Sequence, residues 1–147
     1  MNDNDYTRTM RATAVLLGLA GIIAVHILDL PGKLSEVPYM GVMYIGVIAV
    51  SGVLMHRIIT GPTRRDFLAS AGLAAAVIVG YAVNRTVGMP GATDDIGNWL
   101  EPLGLLSLVV ETWVVMSALT AARGLESVFR ATAPAPVRVR VKVGVPS

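Results

Sequence analysis

The chain has 147 residues, 54% of them hydrophobic and only 15% charged, with a mean hydropathy of +0.64. An ordinary soluble domain carries about 25% charged residues, so this composition argues against disorder and against a freely soluble enzyme. Cysteine is absent, which excludes disulfides, thiolate catalysis, zinc fingers and iron–sulfur clusters together.

Residues 1–11 form a polar start with Arg8 and Arg11. Four apolar blocks follow, each about the 20 residues needed to cross a bilayer. The first covers 12–30 and the second 39–59, with Pro31-Gly32 and Pro38 expected to break the chain between them. The third covers 67–87, after the breaker Gly61-Pro62. The fourth covers 99–122, after Gly88-Met89-Pro90-Gly91, which reads as a tight turn. The first block runs longer than a signal-peptide core and ends in His26, Asp29 and Pro31 without an A-x-A site. It reads as a retained helix. Short loops imply antiparallel neighbours, so the expected fold is all-α: an integral membrane antiparallel four-helix bundle over 12–125.

Lysine and arginine set the orientation. Arg8, Arg11, Arg57, Arg64, Arg65, Arg123, Arg130, Arg138, Arg140 and Lys142 fall on one side of the spans, and only Lys33 and Arg85 on the other. Both termini are therefore expected in the cytoplasm of a bacterial inner membrane. The tail over 126–147 alternates valine with arginine or lysine beyond Pro136. With no partner strand it reads as a mobile basic segment that sets topology and is drawn to anionic lipid. The basic residues flank apolar helices and form no aromatic-interleaved patch, so nucleic acid is not an expected partner.

Small residues recur at four-residue spacing, at Gly72, Ala76 and Gly80 in the third span and Ala14 and Gly18 in the first. Such ridges let helices approach closely in lipid.

Glu111 is the polar residue hardest to explain. It lies about twelve residues into its span, near the midplane by helix rise. A carboxylate there costs about 2.5–3.5 kcal/mol on insertion scales. It should face the bundle interior, protonated or hydrogen-bonded, with Tyr44, Ser51 or Thr112 as candidate partners. It is also a candidate proton- or cation-coupling site.

The remaining polar residues gather on the expected outer rim. His26 and Asp29 share a helix face at i and i+3. Glu36 follows in the first outer loop, Arg85 ends the third span, Asp94 and Asp95 lie in the last outer loop, and Glu101 lies in the first turn of the fourth span. Acidic residues at that point suit the positive end of a helix dipole, and Pro102 suits a helix start. The rim has three readings. It is a structural lock, with Arg85 paired to Glu101 or an aspartate and His26 bonded to Glu36. It is a divalent-metal site built from His26, Asp29 and Glu36. Or it is a recognition and entry surface. A haem shared by His26 and His56 is disfavoured, because the two lie near opposite faces. No G-x-S-x-G, H-E-x-x-H or phosphate-binding loop is present, and no cofactor is otherwise expected.

The string of His26, then Glu36-Val37-Pro38-Tyr39, then Asn84-Arg85-Thr86-Val87-Gly88-Met89-Pro90-Gly91, then Trp99-Leu100-Glu101-Pro102 resembles a group of small bacterial four-span membrane proteins of uncharacterised function. These share an SRTxGLPG-like end to the third span and a Glu-Pro opening the fourth. Asn84 and Met89 depart from that pattern. The resemblance covers about residues 17–111. It implies the four-span fold and directs attention to His26, Glu36, Arg85 and Glu101. The expected function is binding or service as an accessory subunit, with a small proton- or cation-coupled transporter using Glu111 as the alternative, and an outer-face metal-binding protein as a further one. Four spans make a narrow pathway, so transport implies a homo-oligomer or a larger membrane complex.

Overall fold

The computed structural model describes residues 3–132, from Glu126 onward by backbone alone. The described residues form helices joined by short connections, with no strand among them. Helix α1 spans Asp3–Glu36, α2 Pro38–Thr60, α3 Arg64–Thr86 and α4 Pro102–Thr132, with a short 3-10 turn at Thr93–Asp95. Each of the four long helices contains a stretch long and apolar enough to cross a membrane: Asp5–Glu36, Pro38–Thr60, Arg64–Thr86 and Pro102–Leu125. Large apolar side chains such as Leu17, Val42, Ile59 and Val109 stand exposed around the bundle. A water-soluble protein does not tolerate such a surface, and lipid does. The expected basic tail lies outside the described residues beyond Thr132, and α4 continues through its first part.

Pro31-Gly32 does not end α1, contrary to the sequence expectation; the helix runs on to Glu36. Proline forfeits one helical hydrogen bond, and tertiary contact compensates. A Cβ on Gly41 would sit 2.5 Å from Leu34 Cδ2, so the start of α2 presses directly on the last turns of α1. The break falls instead at Val37, where Pro38 opens α2 in the position that suits proline best. Helix α3 opens with a capping box. Thr63 N donates to Asp66 Oδ2 at 2.9 Å, and Asp66 N donates to Thr63 Oγ1 at 3.4 Å. Arg57 Nε donates to the same aspartate at 2.5 Å, which clamps α2 to α3 across their connection. Helix α4 begins at Pro102, later than Trp99, because a turn at Gly97 (φ 80°) occupies the preceding residues. Glu101 caps α4, accepting from Leu103 N at 3.0 Å and Gly104 N at 2.6 Å.

The two ends of the bundle differ. One is rich in arginine and carries Arg57, Arg64, Arg65 and Arg123. The other, called here the acidic end, carries Asp29, Glu36, Asp94, Asp95 and Glu101. The main core lies toward the arginine-rich end. It packs Val15, Leu19 and Ile22 of α1 and Leu54 and Ile58 of α2 against Phe67, Ala71 and Ala74 of α3 and Val114 and Ala118 of α4. A second cluster of Val37, Met40 and Ala92 closes the loops at the acidic end.

Gly18 behaves as the small-residue pattern predicts. A Cβ there would meet Val114 Cγ2 at 2.5 Å, and one on Gly21 would meet Val110 Cγ1 at 2.8 Å, so α1 and α4 touch closely. Trp113 Nε1 donates to Ala14 O at 3.0 Å across the same seam. The Gly72–Ala76–Gly80 ridge is corrected: a Cβ on Gly72 or Gly80 would meet nothing within 4 Å. Helix α3 packs instead through Phe67, Ala71 and Ala74. Ala76 and Gly80 border a void.

Candidate binding cavity at the acidic end

That void is a cavity of about 230 Å³ between α2 and α3, bordered also by α1 and the start of α4. Its body is apolar, walled by Met40, Met43, Val47, Leu73, Val77 and Leu103. Its mouth is polar, and most of the rim residues singled out from the sequence are there: His26, Asp29, Arg85, Asp95 and Glu101 all line it.

Helix α1 supplies His26, Asp29 and Lys33, spaced so that they share one face. His26 is 3% exposed. Its Nδ1 lies 2.9 Å from Ile22 O. A carbonyl only accepts, so Nδ1 carries the proton, and in the neutral ring Nε2 is left as an acceptor. The ring meets Tyr44 edge to face, with centroids 4.7 Å apart. Tyr44 OH in turn donates to Asp29 Oδ2 at 3.0 Å. The expected bond from His26 to Glu36 is not made. Glu36 is exposed and lies 3.5 Å from Lys33, because residues three apart on the final turn of α1 are neighbours while His26 sits further down the helix.

Arg85, 5% exposed, is the hub of the mouth. Its Nη1 donates to Asp95 Oδ1 at 2.5 Å and to Asp95 O at 3.3 Å, and its Nη2 lies 3.6 Å from Glu101 Oε2. The guanidinium also stacks over Tyr81 at 5.0 Å. Asn84 Nδ2 donates to Asp95 Oδ2 at 2.9 Å, and Lys33 Nζ lies 3.8 Å from the same oxygen. Burial by itself would raise the Asp95 carboxyl. The hydrogen bonds from Asn84 and Arg85 and the charges of Lys33 and Arg85 outweigh it and hold the group below its ordinary value. The loop is fastened at two further points: Tyr39 OH donates to Pro90 O at 2.8 Å and Tyr81 OH to Trp99 O at 3.1 Å. The tight turn expected at Gly88–Gly91 is present, with positive φ at both glycines and an Ala92 N to Met89 O bond of 2.9 Å.

Glu111 lies apart from the mouth, fully buried. None of its expected partners holds it. Tyr44 is engaged with Asp29, and Ser51 Oγ is buried without a partner. Ser107 Oγ, one turn earlier on α4, donates to Glu111 Oε1 at 2.5 Å, and Oε2 has no partner among the described residues. Ser107 lines the cavity, so Glu111 is joined to it through one hydroxyl. Asp94 is exposed and outside the lining. His56 is exposed and outside it as well.

Sequence reading placed Asn84 beside Arg85 on the rim but did not assign Lys33, Tyr81 or Ser107 to the site. Lys33 and Ser107 had a usable signal, since each stands four residues from an acid on its own helix, Asp29 and Glu111. Tyr81 had none. It reaches the mouth because Gly104 has no side chain, where a Cβ would stand 2.5 Å from Tyr81 Cε2. Among the described residues, no three His, Asp or Glu side chains converge closely enough to hold a metal ion. The arrangement, polar at one end and apolar along its body, suits a small amphipathic molecule.

No known protein family, curated protein sequence or solved structure matches this chain.

Proposed function

We propose that this chain is a bacterial inner-membrane protein of binding or accessory-subunit type, an antiparallel four-span bundle with both termini in the cytoplasm. Its working site is the cavity at the acidic, outward-facing end, which takes a small amphipathic ligand. The antiparallel arrangement is supported by α1 and α4 partners that run in opposite senses, Ala14 with Trp113 and Gly21 with Val110. The orientation is supported by the gathering of arginines at one end. The binding reading rests on one observation: α2 and α3 enclose an apolar void whose mouth is ringed by fixed polar groups. In native mass spectrometry of protein extracted mildly from its membrane, the parent retains a small non-protein mass. Ala76→Phe, which fills the void, does not. A parent that carries no such mass rejects the reading.

A second reading has an observation of its own. A fully buried carboxylate with one unpaired oxygen, linked by Ser107 to a ligand cavity, is the arrangement a proton-coupled carrier needs. On that reading, proteoliposomes dissipate an imposed pH gradient and Glu111→Gln proteoliposomes do not. A parent that leaves the gradient intact rejects it.

A further inference from the structure

The charges at the mouth are not evenly matched. The cavity lining holds two cations, Lys33 and Arg85, and three carboxylates, Asp29, Asp95 and Glu101. Both cations are occupied. Arg85 is held by Asp95 at 2.5 Å and faces Glu101 at 3.6 Å, and Lys33 lies between Glu36 at 3.5 Å and Asp95 at 3.8 Å. Glu101 is further engaged by two backbone N–H groups of α4.

Asp29 is different. Among the described residues it has no ion-pair partner, and its one side-chain hydrogen bond comes from Tyr44 OH, an uncharged donor. It is partly buried at the junction of the polar mouth and the apolar body. There a carboxylate charge is poorly screened and attracts a cation more strongly than it would in water. His26, one turn away, is nine-tenths buried and lines the same space. Among the described residues its Nε2, the acceptor nitrogen of the neutral ring, meets no donor.

We propose that the cavity binds a small organic cation, a protonated or quaternary amine with an apolar body, and that Asp29 is its counter-ion. The inference rests on the binding reading above and specifies its ligand class. An inorganic cation needs several converging oxygens, whereas here one unpaired carboxylate stands at the edge of a wall of Met40, Met43, Val47 and Leu73. An amine with a hydrocarbon body satisfies both surfaces. The Tyr44 ring adjoins Asp29 and offers a further attraction for a cation. The volume of about 230 Å³ is below the ~300–1,000 Å³ of ordinary ligand pockets, which limits the ligand to a small one.

Phenyltrimethylammonium and its uncharged isostere tert-butylbenzene separate charge from shape. The full chain is placed in nanodiscs of neutral phosphatidylcholine, and binding is read by equilibrium dialysis with empty nanodiscs subtracted. The parent binds phenyltrimethylammonium saturably, Asp29→Asn weakens this at least tenfold, Asp29→Glu recovers much of it, and tert-butylbenzene competes poorly. Asparagine retains an oxygen for Tyr44, and an unchanged melting midpoint confirms that the variant is folded. Equal cation binding by the parent and folded Asp29→Asn overturns the assignment of Asp29. Competition by tert-butylbenzene on equal terms overturns the cation preference and leaves the cavity as a binding site. If the parent binds neither probe yet retains a native mass, only the cation inference falls. If it binds neither probe and retains no mass, the binding reading falls with it.

Discussion

The two halves of the bundle are built on opposite plans. Toward the arginine-rich end, all four helices meet through small and branched side chains, and Ser51 and Ser70 are sealed inside with no exposure at all. Toward the acidic end, α2 and α3 part around a void, and the chain is held together by polar side chains and loop contacts at the rim. In lipid there is little hydrophobic drive for helices to associate, so close van der Waals contact must supply the cohesion. The closed half supplies that contact, which leaves the other half able to stay open around the cavity.

Among the described residues Phe67 is the largest fully buried side chain, and Phe67→Ala sharpens the contrast most. Thermal or denaturant unfolding in detergent should show a loss of about 3–5 kcal/mol, the usual range for truncating a buried phenylalanine. Gly18→Leu comes next. It drives a side chain into Val114 on the α1–α4 seam and should cost about 1–3 kcal/mol, the range for overpacking.

The acidic end should show its own signature in acid. Asp95 is held below its ordinary value in the folded protein, so its contribution is fully present above the unfolded carboxylate value of about 3.9 and is lost as pH falls through the lower folded value. Melting midpoints recorded from pH 6 downward should therefore fall in the parent, and fall less steeply in Asp95→Asn. Identical slopes would remove Asp95 as the fastener of the rim. Gly80→Leu should have the smallest effect on stability, within about 0.5 kcal/mol, because its new side chain enters open space. A severe loss from Gly80→Leu together with a mild one from Phe67→Ala would reverse the assignment of closed and open halves.

These contrasts were only partly legible in the residues. The helices, their number and the residues of the rim follow from apolar run length and charge placement. Both are local properties, which need no knowledge of neighbours. The seam at Gly18 was visible because glycine at small-residue spacing permits close approach. The matching ridge at Gly72, Ala76 and Gly80 carried the same pattern, yet it borders a cavity, since spacing alone does not reveal whether another helix lies opposite. The expected partners were Glu36 in the following loop for His26, and Tyr44, Ser51 or Thr112 for Glu111. Both side chains instead bond within one turn of their own helix, to Ile22 O and Ser107 Oγ, where a partner is always in reach and no tertiary fit is required.

The sequence by itself determined that four helices can span a membrane, that the charges divide between two ends, and that acids, Arg85 and His26 gather at one of them, because hydropathy and charge act residue by residue. Only the tertiary structure decided that α1 runs through Pro31, that α2 and α3 separate, and that Arg85 pairs with Asp95 while Asp29 meets the hydroxyl of Tyr44. Those outcomes depend on which side chains meet across the bundle. A contact such as Leu34 on Gly41 or Tyr81 beside Gly104 exists only once the helices are in place.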